Sequence, residues 1–232
     1  MFFYNDQKVT IARDDSYWGK AKSAFGKLPV PTYITDNIFK DNAGGNAAFK
    51  AGEVDVSQQF IPKVWDMWAN GAPVKTFLKA APYYIAGSIP EIIFNTTKKG
   101  LDNPVVRKAI AMSIDYKKIS DVAMSGYSAA MVPSLNLLTS AEQALIDPAQ
   151  LTNLQWTTDV AAANKLLDTV STKGADGIRV LKDGTKLGTW FAECPFGWSD
   201  WNASLEIVAQ STKAIGIDIK TKFPEAAVWT ND

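Results

Sequence analysis

The sequence predicts an α/β protein built on a mixed sheet, and three observations carry that expectation. Ile92-Ile93-Phe94 is a β-prone apolar run that Asn95-Thr96-Thr97 ends, and Asn103-Pro104 then opens a helix with Val106, Ala109, Ile110 and Ser113 on one face. A second helix, after Ser199, carries Trp201, Leu205, Val208, Thr212 and Ile215 on one stripe up to Gly216, and residues 217–223 then alternate as a strand. Elsewhere short strands are interleaved with helices, an order that folds in α/β layers rather than as a bundle or a sandwich.

The remaining elements follow from local chemistry. Residues 8–12 alternate as a strand, and residues 13–19 form a polar turn closed by Tyr17-Trp18-Gly19. Pro29 and Pro31 precede an extended piece that begins at Tyr33 and Ile34. Gly44-Gly45 leads into a short helix over 46–50 that Gly52 ends, and residues 54–57 read as a brief strand. Pro62 opens a helix bearing Val64, Trp65 and Trp68, stopped at Asn70-Gly71. Residues 74–78 and 91–95 are further strands by composition. Asn103 has the side chain of a cap, and Pro104 suits the first helical position, where a missing N–H costs nothing. Residues 116–124 are helical up to Gly126, a looser region runs through Pro133, and residues 134–157 mix short helical and loop signals. A helix over 159–170 places Val160, Ala163, Leu167 and Val170 on one stripe. Lys182-Asp183-Gly184 reads as a hairpin turn within 178–189, and residues 190–194 extend the second strand.

Composition removes several function classes. The 232 residues suffice for one large domain or two small ones, and a single domain over 1–232 is expected. Lysine plus arginine and aspartate plus glutamate balance at 24 each, which argues against a phosphate-binding surface. There is no histidine and Cys194 is the single cysteine. An internal disulfide and a nucleophile–histidine pair are therefore excluded, and no metal or other cofactor is expected. No apolar run reaches membrane-spanning length, and Met1-Phe2-Phe3-Tyr4-Asn5-Asp6 lacks the basic-then-apolar order of an export signal.

The eight tryptophans are the unusual count. Trp190, Phe191, Phe196, Trp198 and Trp201 crowd around Pro195 and Gly197, between a strand end and a helix start. In an open α/β sheet ligands gather at the carboxyl ends of strands, where aromatic rings offer apolar faces and a helix amino terminus offers N–H donors. Trp198 is the leading contact, whereas Trp201 lies on the apolar stripe of its helix. Trp65 and Trp68, three apart, read as core packing. Gln58, Gln59 and Asn95 stand at strand ends, and their amides suit hydroxyl-rich or peptide ligands, although capping and turn formation compete for them. The carboxylates Asp14, Asp15, Asp66, Glu193 and Asp200 show no spacing that singles out a catalytic pair.

Several segments together resemble the bacterial extracellular solute-binding proteins of family 5. They are Asp15-Ser16-Tyr17-Trp18-Gly19, Gly52-Glu53-Val54-Asp55-Val56, Asn95-Thr96-Thr97, Val105-Val106-Arg107-Lys108-Ala109-Ile110-Ala111-Met112-Ser113-Ile114-Asp115 and Ala214-Ile215-Gly216-Ile217-Asp218-Ile219, in family order along nearly the whole chain. Lys108 and Tyr116 depart from the glutamine and basic residue common in the family. Trp198-Ser199-Asp200-Trp201, the run from Ser57 to Pro62, and Pro82-Tyr83-Tyr84-Ile85 are most similar to members that bind oligosaccharides.

The resemblance implies a type II, cluster C periplasmic-binding-protein fold, of which residues 1–232 would be the second lobe alone. It implies a non-enzymatic receptor of an ABC importer, closing over an oligosaccharide or oligopeptide and handing it to permease subunits. Trp198, Ser199, Asp200, Trp201, Gln58, Gln59, Asn95, Tyr83 and Tyr84 would hold the ligand. A monomer is expected, periplasmic or extracellular, with or without a lipoprotein anchor, no nucleic-acid partner, and weak binding by one lobe alone. The alternatives are a carbohydrate-active hydrolase with paired carboxylates, tested at Asp200 and Glu193, and a stand-alone peptide-capture or signalling module.

Overall fold

The computed structural model describes residues 2–5, 7–22, 26–84, 89–128, 144–151 and 156–231. Ile85 and the region around Pro133 lie outside them. The chain divides into two compact units, Met1–Gln59 and Phe60–Asp232.

The first unit holds a three-stranded antiparallel sheet in the order β1 (Phe2–Asn5), β2 (Lys8–Ala12) and β3 (Tyr33–Asn37). Phe2 pairs with Ile11 and Lys8 with Asn37. The helix α1 (Asn42–Ala51) begins earlier than the glycine pair suggests, because the Asp41 carboxylate accepts from the Gly44 N–H at 2.8 Å and caps it. It stops at Gly52, whose φ of 80° and two N–H contacts to the Ala48 and Phe49 carbonyls make a left-handed C-cap. Ala48 and Gly45 are buried, and the Gln59 side chain lies over Gly45.

The second unit starts with the short helix α2 (Trp65–Ala69), followed by α3 (Pro104–Ser113). Asn103 accepts from the Val105 N–H at 2.9 Å, and the four expected inward residues Val106, Ala109, Ile110 and Ser113 are all buried. The helix α4 (Tyr116–Lys118) runs on as a π-helical turn over Ile119–Ala123. Then come α5 (Pro148–Leu151), α6 (Val160–Asp168), β4 (Ser171–Lys173), β5 (Arg179–Leu181), β6 (Gly188–Glu193), α7 (Ser199–Lys213), β7 (Asp218–Lys222) and α8 (Ala226–Trp229). Strands β4 and β5 are antiparallel, whereas β6 and β7 are parallel and joined by α7. The core gathers Val106, Ile110, Leu167, Leu187, Ile215 and Ile217, so α3 and α6 close on that β6–α7–β7 unit.

Five sequence expectations are corrected. Residues 54–57, 74–78 and 91–95 are not strands. Their composition is right, but β structure needs a neighbouring strand to satisfy the backbone; Ile93 is 89% exposed, which buried-strand chemistry does not foresee. The turn at 182–184 closes a single bridge, Val180 to Lys186, because β5 takes β4 as its partner and β6 takes β7. Ser199 is the first residue of α7 rather than its cap; Trp198 holds the cap position and makes no side-chain capping bond.

Buried Arg179 ties the sheet to the helices. Its guanidinium donates to the Ile215 carbonyl, the Asp168 carboxylate, the Ser171 hydroxyl, and both the carbonyl and the side-chain oxygen of Asn164, at 2.8–3.2 Å. Five acceptors around one planar fork satisfy a charge that could not otherwise be enclosed.

Candidate ligand-binding surface

The carboxyl end of β6 feeds a tight turn, Cys194-Pro195-Phe196-Gly197-Trp198, that delivers the chain into α7. Asn202, one turn into α7, holds this turn in place. Its amide nitrogen donates to the Cys194 sulfur and the Pro195 carbonyl, both at 2.9 Å, while its oxygen accepts from the Gly197 N–H at 3.1 Å. Gly197 has a φ of 81°, a left-handed conformation that only glycine takes without strain. Burial pushes the Cys194 thiol above its ordinary pKa, and the nearby Asp200 carboxylate adds to that.

Trp198 therefore sits at the carboxyl end of a parallel strand and at the amino end of a 15-residue helix. Its ring is 38% exposed and packs against Trp201 edge-on at 5.2 Å and Trp229 at 6.0 Å. Asp200 lies in the first turn of α7, at whose start the Trp198 side chain makes no capping bond. Ser199 is exposed, and Trp201 half-buried on the stripe that continues inward to Val208 and Thr212. A shallow depression farther along α7, lined by Glu206, Ile207, Ala209, Gln210 and Lys213, involves none of these residues.

A second aromatic group belongs to the same unit. Tyr127 is its hub: the rings of Phe60, Trp65, Tyr83 and Tyr84 lie 5.7–6.3 Å from it, and Trp68 stands edge-on to Tyr83 at 5.5 Å. The Tyr127 hydroxyl donates to the Ile61 carbonyl at 2.7 Å and accepts from the Val64 N–H at 2.6 Å, which fixes the start of α2. Trp68 and Tyr84 are 36% and 37% exposed. Burial raises the Tyr84 pKa, and the Asp200 carboxylate raises it further, so Tyr84 and Asp200 are electrostatic neighbours.

The structure thus brings Trp198, Ser199, Asp200 and Trp201 together at the start of α7, whereas Tyr83 and Tyr84 belong to the group around Tyr127. The Asn95 oxygen accepts from the Thr97 N–H at 3.0 Å and from its hydroxyl at 2.6 Å, a turn-forming role. Gln58 and Gln59 belong to the first unit. Gln58 is exposed, whereas the Gln59 amide nitrogen donates to the Asn46 side-chain oxygen at 2.5 Å and the Asn42 carbonyl at 3.3 Å. Sequence reasoning missed Asn202 and Tyr127. The only signal for Asn202 was an amide one turn after a Pro–Gly turn. Tyr127, next to a helix-ending glycine, carried none.

Of the carboxylates, Glu193 pairs with Lys222 at 3.3 Å and Asp15 with Arg13 at 2.6 Å. Asp14 accepts from the Ser16 hydroxyl and N–H, which lower its pKa. Among the described residues no three metal-ligating side chains cluster, and no helix is long and apolar enough to cross a membrane.

The model of the family described as bacterial extracellular solute-binding proteins, family 5 Middle, matches residues 3–232. The comparison with curated proteins gives no match. Among solved structures, the chain is similar to the periplasmic oligopeptide-binding protein of an oligopeptide ABC transporter from Thermotoga maritima, described with bound mannohexaose. Identity is 24% over 99% of this chain and 42% of that one, with a TM-score of 0.91. Another structure of the Thermotoga maritima protein gives 25% identity, the same coverage and a TM-score of 0.84. An oligopeptide-binding protein from Bacillus subtilis, in complex with a nonapeptide, gives 17% identity over 99% of this chain and 42% of that one, with a TM-score of 0.63. The chain spans about two fifths of the length of these structures, and the fold it shares with them is that of type II periplasmic binding proteins.

Proposed function

We propose, from the premise that the chain belongs to family 5 of the bacterial extracellular solute-binding proteins, that it is part of a solute receptor of an ABC importer and takes an oligosaccharide. The unit Phe60–Asp232 would be a lobe of that receptor, closing on ligand against the opposite lobe of the complete protein. One observation carries the reading: Trp198 stands exposed at the carboxyl end of β6 and the amino end of α7, with the Asp200 carboxylate in the first turn of that helix. A ring face stacks on the C–H face of a sugar, while a carboxylate and backbone N–H groups bond its hydroxyls. A bound mannohexaose in a structure of the same fold is consistent with that chemistry.

The protein works outside the cytoplasmic membrane, as a monomer, free or held by a lipid anchor, and its closed form is what the permease recognises. It binds without turnover: Glu193 is engaged by Lys222, and Asp200 would accept from ligand hydroxyls. The oligopeptides named for other structures of this fold favour a second reading, a peptide ligand.

Calorimetric titration of the complete protein with mannohexaose and with a nonapeptide decides between them. Saccharide binding that falls at least tenfold in Trp198→Ala supports the proposal, at about 1.4 kcal/mol per tenfold. Peptide binding alone, or release of shorter sugars on incubation, would refute it.

A further inference from the structure

We propose that Trp68 and Tyr84 form a second ring-stacking subsite for the saccharide held at Trp198, so that the surface reads several consecutive sugar units rather than one. The inference rests on the oligosaccharide reading above and extends it to chain length.

Three features of the unit Phe60–Asp232 carry it. Trp68 and Tyr84 are exposed to almost the same degree as Trp198, although Trp68 packs edge-on against Tyr83 and Tyr84 against the hub ring of Tyr127. Core packing, the expectation for Trp65 and Trp68 from their spacing, would bury them. The hub is fixed before any ligand arrives, because the Tyr127 hydroxyl bonds both the Ile61 carbonyl and the Val64 N–H. A platform that needs no ordering on binding loses little affinity to entropy. Lastly, the two aromatic groups stand on contacting elements: α7, which begins beside Trp198, packs on the π-helical turn that precedes Tyr127, and the Asp200 charge helps raise the Tyr84 pKa. Exposed rings on two contacting elements suit a ligand with repeated apolar faces and hydroxyl rims, which describes a hexose chain better than a peptide of varied side chains.

The test is calorimetry on the complete protein with mannooligosaccharides of two to six units. Affinity is expected to rise with length in the wild type. Trp68→Ala should weaken the hexaose about tenfold and leave the disaccharide unchanged, and Tyr84→Ala should weaken the hexaose more than the disaccharide, whereas Trp198→Ala weakens both alike. Thermal melts of each variant, together with the milder Trp68→Phe, separate lost stacking from lost folding. Equal weakening at every length, or none, overturns the subsite while leaving the oligosaccharide reading standing. Failure of the whole series to bind wild type overturns both.

Discussion

Asn202 donates to the Pro195 carbonyl at 2.9 Å, across the turn that carries the chain from β6 into α7. Through this one amide a helix side chain sets the path of the segment bearing Trp198, so the placement of the ring depends on a residue that need not touch ligand.

Asn202→Ala removes three hydrogen bonds and leaves the Gly197 N–H without this acceptor. Urea unfolding should show a loss of about 1–3 kcal/mol. Saccharide affinity should fall with it, since Trp198 loses its support. Asn202→Asp keeps an acceptor for Gly197 and should retain more of both.

Arg179 is 2% exposed, whereas its partner Asp168 is 66% exposed. Asp168→Asn should cost less than about 1 kcal/mol, as at a solvated ion pair. Arg179→Ala leaves the Asn164 and Ile215 carbonyls without this donor and opens space in a closed core, and should cost about 3–5 kcal/mol in denaturant titrations.

Gly45 and Gln59 should show reversed signs in combination. A Cβ at position 45 would overlap the Gln59 side-chain amide. Gly45→Ala therefore displaces that amide from Asn46 and Asn42, and should destabilise the first unit. In a Gln59→Ala background those amide atoms are gone, and the same change should stabilise α1 by about 1 kcal/mol through helix propensity. A double-mutant cycle by thermal melting checks this.

Tyr84, Tyr116 and Tyr127 all have pKa values raised chiefly by burial. A phenol whose folded pKa exceeds its unfolded value near 10 keeps its proton longer in the native state. Its contribution is intact below pH 10 and is lost as pH rises through the folded value. With no histidine to titrate, stability should be nearly flat from pH 6 to 9 and fall above pH 10. Tyr127→Phe should lower stability throughout and reduce the alkaline loss, as read by unfolding alongside phenolate absorbance.

Local chemistry alone determined the helices and their inward faces. Asn103-Pro104 and the spacing of Val106, Ala109, Ile110 and Ser113 encode α3, and Gly52 the end of α1, because caps and helical periodicity act within a few residues. The same was true of the aromatic turn around Trp198, whose Pro–Gly chemistry is local. Partner choice between strands was decided only in three dimensions: β6 leaves the hairpin its turn suggests for a parallel pairing with β7, and residues 91–95 find no ladder at all. The roles of Gln59, bonded to α1, and of Tyr127, hub of the second aromatic group, also arise from contacts between residues 13 or more positions apart. Such pairings gain their energy from surfaces that meet only after the chain has folded, so no sequence window of helical or strand length contains them.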